Sequence, residues 1–180
     1  MPQSNEAAVE VLDSDTVGFV FRKPKETDGE AVWKLVAECP PLDLNSLYAY
    51  LLQCAQFSDT CRVAELDGKV VGWISGHRLP SEPDVLFIWQ VAVHPDVRGE
   101  GLGVSLLDQL LVDAQADGIR RLKTSITEDN KASWGLFEAI ADDLNAALTS
   151  KPWFGRETHF GGRHDTEHLV TIGPIKPSKA

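Results

Sequence analysis

The chain has 180 residues, 43% of them hydrophobic and 24% charged, which fits one globular domain with a buried core and excludes a disordered or fibrous chain. Lys and Arg number 17 against 27 Asp and Glu, a formal charge of −10. That balance excludes the basic surface needed to bind nucleic-acid phosphates and is compatible with a cationic small substrate.

The polar, acidic residues 1–16 are expected to form a flexible N-terminal tail, and residues 174–180 a second tail, around one domain at 17–173. The N-terminal stretch lacks the apolar centre of a signal peptide, and no apolar run reaches the ~18 residues that span a bilayer. Cys39, Cys54 and Cys61 have no metal-like spacing and read as reduced thiols. A soluble cytoplasmic protein without a membrane partner is the expectation.

Residues 17–22 alternate as a strand does. Val32, Leu35 and Val36 give 28–37 helical spacing, ended by Pro40-Pro41. Asn45 or Ser46 can cap a second helix running to about Phe57. Two strand-like runs, 60–66 and 69–79, flank Asp67-Gly68, a hairpin signal. Residues 80–84 read as a polar loop, and the apolar run 86–93 as a strand buried on both faces. Leu102, Leu106, Leu107, Leu110, Leu111 and Ala114 form one stripe of a helix over 101–117, which Gly118 ends. A strand at 121–126 and a helix at 130–143 follow. Residues 144–163 show no usable period, and 167–172 predicts a last strand. The order β-α-α-β-β-β-α-β-α-β defines an α/β fold, a single domain with a mixed central β-sheet flanked by helices.

The chemistry concentrates where the apolar strand ends and Arg98-Gly99-Glu100-Gly101-Leu102-Gly103 leads into a helix. Amides at a helix N-terminus lack intrahelical partners, and the helix dipole there favours anions. Glycines 99, 101 and 103 allow close approach of a ligand, and Arg98 adds a forked cation for phosphate oxygens. The segment lacks the lysine and Ser/Thr of a P-loop and lies mid-chain, unlike a dinucleotide fingerprint. A glycine-rich turn without a ligand is the plainer alternative.

Arg98-x-x-Gly101-x-Gly103 resembles the Q/R-x-x-G-x-G/A signature with which GNAT N-acetyltransferases hold the coenzyme A pyrophosphate. The strand Trp89-Gln90-Val91-Ala92-Val93 resembles the family's acetyl-CoA strand, and Asp129-Asn130-Lys131-Ala132-Ser133 its later asparagine motif. The resemblance spans about residues 17–172. It implies acetyl-CoA as co-substrate, held by Val91, Val93, Arg98, Gly99, Glu100, Gly101, Leu102, Gly103, Asn130 and Ser133, with no metal. One departure stands out. Many GNAT enzymes place a proton-donating tyrosine after the asparagine, where this chain has Leu136-Phe137.

Further segments are similar to the diaminobutyrate acetyltransferases of ectoine synthesis. They include Pro41-Leu42-Asp43-Leu44-Asn45-Ser46-Leu47-Tyr48, Leu86-Phe87-Ile88-Trp89, and His164-Asp165-Thr166-Glu167-His168. This resemblance implies transfer of acetyl to the γ-amine of L-2,4-diaminobutyrate, in a homodimer. Asp43 and Glu167 are then candidates to pair with the substrate's ammonium, Tyr48 to align its carboxylate, and Trp89 to wall its channel. Glu167 is the preferred base, and an amide near Val91 the group that steadies developing negative charge. Each residue also has a plainer role: a helix-end carboxylate for Asp43, a solvated turn for Glu167, half-buried packing for Tyr48, core packing for Trp89. His164 and His168 read as solvated histidines. Two other activities stay open, a GNAT enzyme acting on another amine such as a polyamine, and a coenzyme A-binding module without catalysis.

Overall fold

A computed structural model describes residues 18–176. Seven strands form one sheet in the order β1-β2-β3-β4-β5-β7-β6. The strands are β1 Val20–Arg22, β2 Cys61–Leu66, β3 Lys69–Leu79, β4 Glu82–Val93, β5 Arg121–Thr127, β6 Leu148–Phe154 and β7 Glu167–Ile172. Four helices flank it: α1 Gly29–Ala37, α2 Leu47–Gln56, α3 Leu102–Ala116 and α4 Lys131–Asp143. The α/β, mixed-sheet expectation holds, since β4 and β5 run parallel and the other pairs antiparallel. The tail expected at 1–16, and the first residue of the strand expected from 17, lie outside the described residues.

Local chemistry explains the joints. Asp67 and Gly68 both have positive φ, as the tight β2–β3 hairpin turn requires. Ser46 caps α2 by accepting from the Ala49 amide at 3.2 Å. The leucine stripe of α3 is buried against one face of the sheet with Ile74, Leu86 and Ile88, and each leucine side chain contributes roughly 1.5–3 kcal/mol. On the other face, α1 and α2 bury Val32, Leu35, Tyr50 and Cys54 against Val63, Trp73 and Ala92.

β4 departs from expectation in a way that makes the site. Ser75 pairs with Gln90 and Gly76 with Ile88, so Trp89 is an extra residue, a β-bulge. Because side chains alternate with period two, the bulge reverses which face each residue serves. Leu86 and Ile88 face the α3 core, whereas Ala92 faces the α1–α2 core. Trp89 is left 50% exposed, so the strand is not buried on both faces. Beyond the bulge β4 also leaves its parallel neighbour: the pairing covers only Val85–Phe87 against Arg121–Lys123. A wedge opens between the two strands.

Three boundaries move. The expected loop at 80–84 is a turn at Pro80 and Ser81, after which β4 begins. A strand, β6, occupies the unreadable stretch and pairs on the outer side of β7. Its residues 149–153 are all exposed, and they include Lys151 and Pro152, typical of a protected sheet edge. Ile175 is packed in the core and its amide donates to the Arg120 carbonyl at 2.7 Å, so the folded part runs past the tail boundary expected at 174.

Candidate active site

Two adjoining cavities, of about 440 and 480 Å³, share Pro41, Leu42, Val91, Asn130 and Ser133 in their walls. The first is a groove over the start of α3, the second a pocket in the wedge between β4 and β5.

The groove is made mostly of backbone. Gly99 (φ 86°) and Gly101 (φ 73°) are left-handed, and a Cβ on either would meet nothing within 4 Å, because the space beyond is the groove. Gly101 is the N-cap of α3 and no side chain caps that helix. The Ser105 amide is the first to reach back, to the Gly101 carbonyl at 3.0 Å, so the first-turn amides stay free for a ligand. α4 differs: Asn130 caps it, its Oδ1 accepting from the Ser133 amide at 3.1 Å. Arg98 is anchored by Nε donating to the Val93 carbonyl at 3.2 Å, which holds its guanidinium beside the groove, where it can meet an anion. Gly103 has ordinary helical backbone, and a Cβ there would touch Leu136 Cδ1 at 3.6 Å. It serves the groove by smallness, not by conformation. Val91 and Val93 line the groove; Leu102 does too, although its side chain is buried in the core. Glu100 is exposed and outside the lining.

The pocket is made of side chains from separate elements. Glu167, opening β7, has its Oε2 buried without a hydrogen-bond partner among the described residues. Burial pushes its carboxyl above the ordinary range and the charge of Asp43 adds to this, while Ser125, His164 and His168 pull the other way. His164 Nε2 lies 3.7 Å from Glu167 Oε1 and 3.9 Å from Asp43 Oδ2, with its ring centroid 4.6 Å from that of Phe160, the two rings tilted by 41°. The histidine read as solvated therefore stands between two carboxylates. His168 points to the other face of β7, as alternation demands. Among the described residues no cluster fit for a metal occurs.

Asp43 lies three residues before the α2 cap, so it is not a helix-end carboxylate. Its loop is tied to β4 through Gln90, whose Nε2 donates to the Asp43 carbonyl at 2.7 Å. The buried Tyr50 hydroxyl donates to Gln90 Oε1 at 3.2 Å and accepts from the Asn45 amide at 3.3 Å. Sequence reasoning missed Gln90 as a site residue; its signal was one amide in an otherwise apolar strand. Tyr48 is not brought to the pocket and is 68% exposed. Two residues advance a helix by roughly 200°, so burying Tyr50 turns Tyr48 to solvent. Trp89 lines the pocket, its ring edge-to-face with His77 at 6.5 Å, and does not pack in the core. Phe137, 3% exposed on α4, closes one wall, and neither tyrosine of the chain lines the pocket.

An uncapped helix start beneath a bulged, splayed strand is what binding of a coenzyme pyrophosphate and its pantetheine arm requires, and the Acetyltransferase (GNAT) family model matches residues 29–141. The chain belongs to this family of acyltransferases. Within it, the chain is 45% identical to the L-2,4-diaminobutyric acid acetyltransferase of Chromohalobacter salexigens, over 94% of this chain and 88% of that one. It is 46% identical to the enzyme of the same name from Halomonas elongata, over 92% and 86%. Among solved structures it resembles the diaminobutyrate acetyltransferase of Paenibacillus lautus in complex with its substrate L-2,4-diaminobutyric acid and coenzyme A. That match has a TM-score of 0.84 and 37% identity, and covers 90% of this chain and 98% of that one.

Proposed function

We propose that this chain transfers the acetyl group of acetyl-CoA to the γ-amine of L-2,4-diaminobutyrate, giving N-γ-acetyl-diaminobutyrate, a step of ectoine synthesis in osmoadaptation. The observation that carries this is a pocket holding Asp43, Glu167 and His164 that opens at Val91 onto the pyrophosphate-type groove. An amino acid with two ammonium groups suits carboxylates, and the shared wall puts its amine beside the thioester end of the coenzyme.

The residues divide the work. Free α3 amides and Arg98 hold the pyrophosphate, and β4 amides released by the bulge, near Val91 and Val93, hold the pantetheine arm and steady charge on the thioester oxygen. Glu167, kept basic by burial, accepts the proton that the γ-ammonium must lose before it attacks. Asp43 pairs with the α-ammonium, keeping that amine charged and non-nucleophilic. Trp89 walls the channel. Neither tyrosine lines the pocket, so another group or solvent protonates the leaving thiolate.

The same reading makes the enzyme a cytoplasmic homodimer, with the exposed Leu44, Leu47, Tyr48 and Leu51 along and before α2 as a face for the second copy. Light scattering checks this; a monomer contradicts it. Thiol release from acetyl-CoA across a panel of diamines and amino acids tests the substrate. Fastest turnover with diaminobutyrate supports the proposal, and turnover of polyamines with diaminobutyrate inert overturns it.

A further inference from the structure

The assigned substrate carries two amines and one carboxylate, and the carboxylate needs a cation that the site described so far does not supply. Tyr48, the residue expected to align it, is not among the residues that line this pocket. Two arginines, Arg156 and the exposed Arg163, are among the residues that line the pocket. Arg156 is already engaged: its Nη1 donates to Asp165 Oδ1 at 2.6 Å, and its Nε lies 3.6 Å from Glu157 Oε1. The Arg163 guanidinium has no hydrogen bond or ion pair among the described residues; its recorded bond is that of its backbone amide to the Phe160 carbonyl, 3.2 Å.

The loop that carries Arg163, residues 155–166 between β6 and β7, is a built structure. Gly161 (φ 56°) and Gly162 (φ 77°) take consecutive left-handed conformations immediately before Arg163, turning the chain there. The Gly162 amide donates to the Arg156 carbonyl at 2.9 Å, and the Arg156 amide to Thr166 Oγ1 at 3.1 Å. Phe160 packs at a tilt against His164 and edge-on to Phe154 at 6.3 Å, which staples the loop to β6. The loop thus places Arg163, whose guanidinium has no partner among the described residues, in the lining of the same pocket as Asp43 and Glu167.

Resting on the substrate reading above, we infer that Arg163 binds the α-carboxylate of diaminobutyrate and is the residue that makes the enzyme choose an amino acid over a simple diamine. A guanidinium matches a carboxylate with two parallel N–H donors, and a lysine offers charge without that fork. With Arg163 on the carboxylate and Asp43 on the α-ammonium, both charges at the α-carbon are fixed, and the γ-amine is the one end left to approach the thioester. Three-point holding of this kind also selects the L-enantiomer.

The test compares diaminobutyrate with 1,3-diaminopropane, the same diamine without its carboxylate, for wild type, Arg163→Gln and Arg163→Lys. Wild type should strongly prefer diaminobutyrate. Arg163→Gln should lower kcat/KM for diaminobutyrate at least tenfold and leave that for diaminopropane, and the acetyl-CoA KM, within about twofold. Arg163→Lys should recover part of the loss. Equal losses on both amines, or a preference that survives Arg163→Gln, overturns the assignment of Arg163 while leaving the substrate reading intact. Wild type that does not acetylate diaminobutyrate overturns the substrate reading, and this inference with it.

Discussion

The coenzyme groove and the amine pocket share a wall but are built differently. The groove is walled by residues 39–42, the edge of β4 and the start of α4, but its floor is one contiguous segment, residues 98–103, which offers backbone: left-handed glycines, free amides and a single anchored arginine. The pocket gathers side chains from the loop before α2, the bulge of β4, β5, α4, and the β6–β7 loop running into β7. The groove fits a group common to every acetyl-CoA user, whereas the pocket must fit one amine. Backbone supplies the shared function and side chains the particular one.

Breaking the pocket's chemistry should cost most. Glu167→Gln is expected to lower kcat by about 10²–10⁴-fold with an unchanged acetyl-CoA KM, the range of a single acid–base group. A protonated carboxyl cannot accept a proton, so in wild type kcat/KM should fall as pH drops through the raised Glu167 value. The charge of Asp43 is one of the causes of that rise, so Asp43→Asn should move this acidic limb to lower pH. A limb that stays in place removes Glu167 as the base.

Breaking the groove should act on the other substrate. Gly101→Val puts a branched side chain at φ 73° and into the groove, and should raise the acetyl-CoA KM at least tenfold, a loss of about 1.4 kcal/mol. Gly103→Ala sharpens the contrast. Its Cβ meets Leu136 and Val91 at ordinary contact distance on normal helical backbone, so the KM should change by less than about threefold. Equal effects at the two glycines would mean that smallness, not left-handed backbone, makes the cradle.

Smaller effects test the pocket's periphery. The Asp43 carboxylate is 86% exposed, so Asp43→Asn should raise the diaminobutyrate KM by only about three- to tenfold, leave the acetyl-CoA KM unchanged, and allow some α-acetylated product. Product NMR with both KM values decides this. Phe137→Tyr should leave kcat within about threefold, because a buried ring that only packs gains nothing from a hydroxyl. A hundredfold increase would show that the missing acid limits the reaction.

What the sequence revealed follows from the same division. The α3 stripe, the Asp67-Gly68 hairpin and the glycine-rich turn of Arg98–Gly103 into a helix are local signals, each carried by neighbouring residues, and these three elements form at the expected places. The bulge at Trp89 was invisible because it depends on register against Gly76, a property of two strands and not of one. β6 was missed because an exposed edge strand with Lys151, Pro152 and Trp153 has no apolar period to read. His164 and Glu167 are sequence neighbours, but Asp43 meets them only through long-range folding, so that proximity could not come from spacing. Tyr48 lies outside the pocket of its own chain for a helical reason: Tyr50 takes the buried face.

The central claim is that the acid-lined pocket presents the γ-amine of diaminobutyrate to the thioester held by the α3 groove. NMR of the product formed from acetyl-CoA and L-2,4-diaminobutyrate, followed together with thiol release, tests it most directly. One thiol released per N-γ-acetyl-diaminobutyrate, with no α isomer, is the predicted result; an α-acetylated product, or no thiol release with this amine while another amine reacts, would contradict it.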